Sequence, residues 1–523
     1  MKPVRYSKLF LYAAFSILLM LAAPAMAQDA APASGMAEYW DEETAVKINF
    51  SGDTVDISGD RAVLSGGILT IDKAGTYVLT GTWNSGQVRI DAGKEDTVSL
   101  ILNGVSIHCP DNAPLYAPQA GKVILTLAGD TENALSDGST YTYADGETEP
   151  DAALYVQDSL TINGRGSLAV TANNKHGIVS KDNLLIESGI ISVTAADVGI
   201  RGRDTLAISG GEITVNAKGD ALQSNNGDDP EKGCITLTGG TYHLTSMKDG
   251  IQAESGLTIS GGDYTLYTGG MSPIQSELSP EDWQPNESSD SAPGKGIKSG
   301  SHLNITGGTF HLYCADDAIN AGGKIAIQDG IFEIATKDDG LRADESVDIS
   351  GGELSFLTCC EGIDTANVSI TSGEVTIKTM GDGIDATGSV VLEGGTLYVS
   401  SPDDGKSGAL DYVESFLVSG CTLAASSCNG MMKAPSPDSK QPSLMISFSM
   451  PIKAGSKVDL KDDSGNTVLT CTMMQDFQTL LISAPGLALG NHYTLTVNGE
   501  TMLSAGLSDT VTTVSQEGGQ EEN

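Results

Sequence analysis

Apolar and polar residues alternate in short segments through most of the chain. The clearest segments place two such runs around a pair of glycines, as in LAISGGEITV from Leu206, LNITGGTFHL from Leu303 and VDISGGELSF from Val347. Alternation with a period of two over a few residues predicts β-strands, whereas no stretch has the longer period of an amphipathic helix. The pattern therefore predicts an all-β protein.

A five-residue phrase recurs between these segments. It reads KGIKS at Lys295, DAINA at Asp317, DGLRA at Asp339, EGIDT at Glu361 and DGIDA at Asp382, so its starts are 22, 22, 22 and 21 residues apart. Related phrases start earlier in the chain at His176, Val198, Asp220 and Asp249. A fixed period of short strands with glycine at the corners predicts a parallel β-helix with about 22 residues per rung.

Changes in the regularity of this pattern divide the chain into segments. Two insertions, at residues 224–233 and 269–294, interrupt the period and are expected to form loops. The predicted segments are a signal peptide (1–27), a disordered lead-in (28–45), an N-terminal cap with irregular rungs (46–151), regular β-helix rungs (152–430), a small C-terminal antiparallel β-module (431–510) and an acidic flexible tail (511–523).

The beginning of the chain and its charge predict location and exclude some partners. A basic start, an apolar run from Leu9 to Ala23 and the ending Ala25-Met26-Ala27 are typical of a cleaved secretory signal rather than of a membrane span. We therefore expect a secreted monomer that does not insert into membranes. The formal net charge of −39 argues against nucleic acid or an anionic membrane as a partner.

The eight cysteines lack the regular spacing of a disulfide framework. We expect most of them to be wall or core residues, and Cys421 and Cys428 are the first pair to check for a disulfide.

In a parallel β-helix, equivalent residues of successive rungs form columns about 4.8 Å apart. Two charges at that spacing repel by roughly 3 kcal/mol at an effective dielectric near 20, which a bound cation would relieve. Carboxylate ligands, with no His or Cys expected nearby, favour Ca²⁺ over a transition metal. One predicted column contains Asp317, Asp339, Glu361 and Asp382 with Asp316 and Asp338 beside it, and a second contains Asn320, Arg342, Asp364 and Asp385.

An alternative remains open, because Asp before Gly is also a common turn former that needs no metal. The acidic insertion with Asp228 and Asp229 is likewise either an oxygen-rich cation loop or a solvated surface loop.

Aromatic residues are the candidates for contact with sugar rings, whose C–H faces pack on aromatic faces. Trp283, on a polar insertion, is expected at the surface, and Tyr267 and Tyr313 are further candidates. A regular set could form either an outer stripe or an internal stack; it consists of Tyr242, Tyr264, Phe310 and Tyr398.

Lys298 and Lys337 are the candidate bases for a calcium-assisted β-elimination, together with Arg342. A lysine base needs a lowered pKa, and the surrounding carboxylates would have the opposite effect on these residues. Paired acids for glycoside hydrolysis have little specificity in so acidic a chain.

As a group, several ordered segments resemble the bacterial carbohydrate-binding β-helix proteins, which are secreted and similar to polysaccharide lyases. The resemblance is carried by GTYVLTG from Gly75, SLILNGVSI from Ser99, SLTINGRGSLAVTA from Ser159, HGIVSKDNL from His176, IRGRDTLAISGGEITV from Ile200, GDALQSNNGDDPEKG from Gly219, DGIQAESGLTISGG from Asp249, KGIKSG from Lys295 and MMKAPSPDSKQPSL from Met431.

The resemblance implies a right-handed parallel β-helix that binds a plant-type polysaccharide, cellulose-like or pectin-like, and bound calcium. Its acidic Asp-Gly-Ile positions correspond to Asp220, Asp249, Asp317, Asp339, Glu361 and Asp382. The chain departs from this pattern at Val198, Asn225 and Asn226, so the resemblance supports calcium in the C-terminal half more strongly than in the N-terminal half.

Three functions are compatible with these features. The first is a secreted, calcium-associated protein that binds a cell-wall polysaccharide without cleaving it. The second is a calcium-dependent polysaccharide lyase acting on an acidic polymer. The third is a structural or adhesive solenoid whose acids only confer solubility.

Overall fold

The computed structural model describes residues 40–516 except 42, 144, 145, 147, 272–293 and 429. All regular elements in this part of the chain are strands, and it contains no helix long and apolar enough to cross a membrane. The predicted signal peptide, most of the predicted lead-in and Trp283 lie outside the described residues.

The first ten strands form the N-terminal region, which contains the antiparallel pairs β1–β2 and β3–β4 and otherwise parallel pairings. They are β1 (Val46–Gly52), β2 (Thr54–Ile57), β3 (Ala62–Ser65), β4 (Ile68–Ile71), β5 (Gly75–Trp83), β6 (Gln87–Asp91), β7 (Thr97–Cys109), β8 (Leu115–Gln119), β9 (Lys122–Leu127) and β10 (Glu132–Asp137).

The regular rungs comprise the next 31 strands. The first half contains β11 (Ala152–Val156), β12 (Ser159–Gly164), β13 (Ser167–Ala172), β14 (His176–Ser180), β15 (Asn183–Ile186), β16 (Ile190–Ala195), β17 (Ile200–Gly202), β18 (Thr205–Ile208), β19 (Glu212–Ala217), β20 (Leu222–Ser224), β21 (Cys234–Leu237), β22 (Thr241–Ser246), β23 (Ile251–Ala253), β24 (Leu257–Ile259) and β25 (Asp263–Tyr267). The second half contains β26 (Ile297–Ser299), β27 (Leu303–Ile305), β28 (Thr309–Cys314), β29 (Ile319–Ala321), β30 (Lys324–Ile327), β31 (Ile331–Thr336), β32 (Leu341–Ile349), β33 (Glu353–Thr358), β34 (Ile363–Ile370), β35 (Glu374–Lys378), β36 (Ile384–Ala386), β37 (Ser389–Leu392), β38 (Thr396–Ser400), β39 (Leu410–Tyr412), β40 (Ser415–Val418) and β41 (Thr422–Ser427).

These strands form three walls, because each strand pairs in parallel with its equivalent in the next rung. The long-strand wall contains β13, β16, β19, β22, β25, β28, β31, β33, β35, β38 and β41. The short-strand wall contains β11, β14, β17, β20, β23, β26, β29, the start of β32, the start of β34, β36 and β39. The third wall contains β12, β15, β18, β21, β24, β27, β30, the ends of β32 and β34, β37 and β40. The predicted parallel β-helix is therefore confirmed.

The repeated phrase forms the short-strand wall, and its apolar third residue points into the core. Ile319, Leu341, Ile363 and Ile384 are paired in register along the helix, and none is exposed to solvent. Alternation within each strand buries every second side chain, so one continuous core runs through the rungs.

Part of the aromatic set is internal rather than superficial. The buried rings of Tyr242, Tyr264, Phe310 and Phe332 stack in sequence with centroid distances of 4.5, 4.8 and 4.5 Å. Tyr398 does not join them, since it lies one residue later in its strand and points outward, where its hydroxyl donates to the carbonyl of Thr470.

The C-terminal module contains two sheets. Its strands are β42 (Ser443–Ile452), β43 (Lys457–Asp462), β44 (Thr467–Thr472), β45 (Phe477–Ser483), β46 (His492–Val497), β47 (Glu500–Gly506) and β48 (Val511–Ser515). β43, β44, β46 and β47 form an antiparallel sheet, whereas β45 pairs with β41 and β42, so the sheet of the long-strand wall continues into the module.

Three sequence expectations differ from this structure. The flexible tail does not begin at residue 511, because β48 pairs in parallel with β42 through β-branched residues of high strand propensity. The lead-in is not wholly unstructured, since Trp40 packs against Ala45, Val78 and Ile101. Cys421 and Cys428 form no disulfide, and all eight cysteines are free thiols.

Candidate functional site

The first residue of each repeated phrase lies at the corner between the long-strand wall and the short-strand wall. There a carboxylate accepts a hydrogen bond from the backbone N–H of the equivalent residue in the next rung. Asp317 Oδ1 accepts from Asp339 N–H (3.3 Å), and Asp339 Oδ1 accepts from Glu361 N–H (3.3 Å). The same bond joins Asp220 to Asp249, Asp249 to Lys295 and Asp382 to Gly408.

We call this set the acidic column; it contains Asp220, Asp249, Lys295, Asp317, Asp339, Glu361 and Asp382. Five of its six carboxylates satisfy backbone N–H groups at a corner, which is the turn-forming role that the sequence left open as an alternative; they are those of Asp220, Asp249, Asp317, Asp339 and Asp382. These hydrogen bonds explain, in part and without a metal, why acidic residues occupy these positions.

Lys295 interrupts the acidic column with a positive charge. Its ammonium group donates to Asp316 Oδ1 (2.9 Å) and to Asp317 Oδ2 (2.6 Å), and the Asp317 side chain is fully buried. Because Lys295 has no carboxylate to offer, the N–H of Asp317 donates instead to Asp316 Oδ1 (2.8 Å).

Asp316, Asp317 and Asp338 form the first group of carboxylates, with ligand oxygens within 4.8 Å of one another. Burial raises the pKa of Asp316, but the hydrogen bonds from Lys295 and from the N–H of Asp317, together with the charge of Lys295, outweigh burial and lower it below the ordinary value. Burial lowers the pKa of Lys295, and the charges of Asp317 and Asp316 outweigh that effect and raise it. The ammonium group of Lys295 thus already compensates part of the negative charge of this first group.

Asp339, Glu361 and Asp364 form the second group, again with ligand oxygens within 4.8 Å. Arg342 reaches it from the exposed side, with Nη1 3.2 Å from Asp339 Oδ2 and 3.5 Å from Asp364 Oδ2. Burial and then the neighbouring carboxylates raise the pKa of Asp339 to about 8 and that of Glu361 to about 7. Such raised values indicate negative charge that Arg342 compensates only in part.

The donor set of the second group fits a hard divalent cation. Its three side chains offer carboxylate oxygens from two successive rungs and the adjoining short strand, and oxygen ligands are those that Ca²⁺ prefers. A bound cation would remove the repulsion that raises the pKa of Asp339 and Glu361.

Cys360 corrects the expectation that no cysteine lies near the acids. It forms a third group with Asp338 and Asp339, all within 4.8 Å. Burial and then the charges of Asp339 and Glu361 raise the pKa of Cys360 to about 11, so the thiol is neutral. The preference for a hard cation therefore rests on the second group, whose three ligands are all carboxylates.

The other predicted metal ligands lie outside these three groups of the described residues. Asp228 forms an ion pair with Arg203 (2.8 Å), and Asp229 Oδ1 accepts from the N–H of Glu231 (3.0 Å), so both stabilise their loop. The remaining three acids have a pKa raised chiefly by burial, to about 6 at Asp220; they are Asp220, Asp382 and Asp385.

The predicted aromatic contacts lie on the long-strand wall beside the same corner. The rings of Tyr267 and Tyr313 stack outside the helix with centroids 5.2 Å apart, and Tyr313 is three residues before Asp316. Both pack with Met271, Ala335 and further apolar side chains into a small outer cluster. Met271 lies in the insertion of residues 269–294 and is the last described residue before the part, 272–293, that contains Trp283.

The two candidate bases are placed differently. Lys298 Nζ lies 3.6 Å from Asp249 Oδ2, in the arrangement of a charged ion pair. Lys337 precedes Asp338 at the corner and is partly exposed.

Lys298 also lines a polar cleft on the short-strand wall that sequence reasoning missed. The cleft encloses about 480 Å³ and includes Asp220, Gln223, Asp249 and Gln252. Gln223, Gln252 and Lys298 are in register with the column of Asp364, so the period of the phrase could have identified them.

Comparison with known proteins gives three matches. A family model described as carbohydrate-binding domain-containing protein matches residues 65–340 and 323–434. A protein of Acetivibrio thermocellus with that description is 38% identical over 226 residues, which are 43% of this chain and 79% of that protein. The solved structure of a polysaccharide lyase-like protein from C. thermocellum, a gadolinium derivative, is 36% identical, covers 43% of this chain and 92% of that chain, and has a TM-score of 0.43.

Proposed function

Because the chain belongs to the family of carbohydrate-binding domain-containing proteins, we propose that it is a secreted protein that binds a cell-wall polysaccharide without cleaving it and holds Ca²⁺ at the acidic corner. The secretory pattern of the first 27 residues supports export. The structural-solenoid alternative is weaker, since the family description itself names carbohydrate binding.

The observation that carries this proposal is the placement of an aromatic pair and a carboxylate group at one corner. Tyr267 and Tyr313 expose a stacked aromatic surface on the long-strand wall. Asp339, Glu361 and Asp364 follow around the corner and offer only oxygen ligands. Aromatic stacking suits the C–H face of a sugar ring, and the carboxylate group offers the oxygen ligands that Ca²⁺ prefers.

Binding without cleavage is favoured by the state of the candidate base. A β-elimination needs an unprotonated amine or guanidine near the substrate carbon. Lys298 is paired with Asp249, and Arg342 is paired with Asp339 and Asp364. Burial lowers the pKa of Arg342, but the charges of the surrounding carboxylates together outweigh burial and raise it, so the guanidinium does not accept a proton. The ammonium group of Lys298 contacts a carboxylate.

One specific observation keeps the lyase as a second candidate. Lys298 lines the cleft of about 480 Å³ on the short-strand wall, which is large enough for a sugar unit. A lyase would release unsaturated products from polygalacturonate in the presence of calcium, and Lys298→Ala would abolish them. Absence of such products in the wild-type protein rejects this candidate.

The calcium site is tested by thermal unfolding of the mature protein in chelator and then with excess CaCl₂. A ligand that binds only the folded state raises the unfolding temperature by mass action. We expect Asp364→Asn to reduce the calcium-induced rise strongly, because it removes one charged ligand of the second group. Asp348→Asn, an exposed acid of the third wall, is the matched control and should leave the rise unchanged. Equal rises in all three proteins would contradict the site.

A further inference from the structure

A groove on the long-strand wall lies apart from the acidic column. Its floor is formed by outward side chains of β19, β22 and β25, and it encloses about 490 Å³. The side chains form two columns in register across three rungs; one column is Thr214, His243 and Thr265, and the other is Asn216, Thr245 and Tyr267.

The groove exists because one column changes abruptly from short side chains to aromatic rings. Tyr267 and Tyr313 occupy this column in two successive rungs, and the preceding rungs carry Thr245 and Asn216. Tyr313 covers one face of Tyr267 and is fixed by its hydrogen bond to Glu333 Oε1 (2.7 Å). The opposite face of Tyr267 is turned toward Thr245, at the place where a further ring would continue the stack.

The lining of the groove carries no Asp, Glu, Lys or Arg, although the chain has a net charge of −39. Most of its surface is apolar, and hydroxyl, amide, imidazole and phenol groups stand on that surface beside Val215. Hydroxyl and amide groups both donate and accept hydrogen bonds, as sugar hydroxyls require. No Lys or Arg is present here to pair with the carboxylates of a uronate polymer, and a neutral sugar needs no such pairing.

We propose that this groove is a calcium-independent subsite for a neutral polysaccharide, in which one sugar ring stacks on Tyr267 in line with Tyr313. The hydroxyls of the sugar bond to Asn216, His243 and Thr265. The inference rests on the proposed carbohydrate-binding function and adds the ligand class and the site.

Isothermal titration calorimetry with cellohexaose as the neutral probe, in excess chelator, tests this subsite. Thr245→Tyr places an aromatic ring against the free face of Tyr267 and so fills the groove. Tyr267→Ala removes the ring on which the sugar would stack. Each is expected to weaken binding at least roughly tenfold, since aromatic stacking contributes about one decade of affinity. Thr171→Tyr, in the same column but three rungs earlier and outside the groove, is the matched control and should bind as the wild type does.

The outcomes separate this inference from the proposed function. Cellohexaose binding in chelator that is lost in both groove variants and kept in Thr171→Tyr supports the subsite. Binding that requires calcium, or that both groove variants retain, overturns the subsite and leaves the proposed function intact. Failure of the wild type to bind either cellohexaose or hexagalacturonate, with calcium present, overturns both. Unfolding temperatures of the variants equal to that of the wild type show that any loss is local.

Discussion

At the scale of single residues, Lys295 makes the two carboxylate groups differ, because it neutralises part of the charge of the first group only. It occupies a position that acids hold in neighbouring rungs, and its ammonium bonds to Asp316 and to the fully buried Asp317. The first group therefore carries its own cation. In the second group the pKa values of Asp339 and Glu361 stay raised. A bound cation would therefore relieve more charge repulsion in the second group than in the first.

Lys295→Met should lower the free energy of unfolding by about 3 kcal/mol, because removing one partner leaves the carboxylate of Asp317 buried and unpaired. Lys324→Met is the matched control, since the Lys324–Glu345 pair (3.9 Å) is exposed and should contribute less than about 1 kcal/mol. Denaturant unfolding of both variants measures the difference. Equal losses would show that the ion pairs of Lys295 contribute no more than an exposed surface pair.

Stability without calcium should depend on pH through Asp339 and Glu361. Their pKa values of about 8 and about 7 in the folded protein lie above the ordinary carboxyl range. Between these values and the ordinary carboxyl range, the folded state binds protons that the unfolded state has released. The stability that these two groups contribute is therefore fully present below about pH 4 and is lost as pH rises to about 8.

Glu361→Gln should flatten this loss, because an amide cannot acquire the charge. Unfolding temperatures measured in chelator between roughly pH 5 and pH 9 check the slope. Glu353→Gln, an exposed acid of the long-strand wall, should retain the wild-type slope. A wild-type stability that increases over this range would contradict the assignment.

At the scale of elements, the corner glycines hold the rungs at their close spacing. Gly395 has φ +75°, and a Cβ atom there would lie 2.6 Å from the carbonyl oxygen of Gly373 in the preceding rung. Gly405 has nearly the same φ, +73°, with no atom within 4 Å of such a Cβ. The two positions thus share the backbone requirement and differ in the contact between rungs.

Gly395→Ala should destabilise the protein by about 2 kcal/mol more than Gly405→Ala does. Both variants incur the strain of a left-handed alanine, roughly 1 kcal/mol, and only the first also forces two rungs apart. Thermal unfolding of the two variants measures this difference. Equal destabilisation would show that rung contact at this corner is unimportant.

The period of the phrase explains how much of these elements the sequence could predict. Because the spacing of Lys295, Asp317, Asp339 and Glu361 is nearly constant, both the parallel stacking and the membership of the columns followed directly. The place of Tyr398 did not, since a shift of one residue moves a side chain to the other face of a strand. β48 was missed because its strand residues adjoin an acidic end of the chain.

The candidate site was predicted less completely than the fold. The period of the repeated phrase identifies which residues are neighbours in successive rungs. It does not show which side chain reaches the next rung. The bond of Lys295 to Asp317 and the approach of Cys360 to Asp339 depend on side-chain direction at the corner. Tyr267 and Tyr313 were identified singly, and their stacking emerged from the register of β25 and β28.

At the scale of the whole molecule, charge and family membership together define what the protein can bind. A net charge of −39 repels acidic polymers unless a cation intervenes. The corner with Asp339, Glu361 and Asp364 offers a place for that cation, and the long-strand wall offers aromatic and neutral polar surface. An acidic and a neutral polysaccharide would thus meet different parts of the same β-helix.

The most direct test of the account is retention of the mature protein in native gels that contain polygalacturonate or a soluble cellulose derivative, with calcium and with chelator. The absorbance of unsaturated product is followed in the same mixtures. We expect retention by polysaccharide with calcium present and no unsaturated product. Unretarded migration in every gel would contradict carbohydrate binding, and product formation would show that the protein cleaves what it binds.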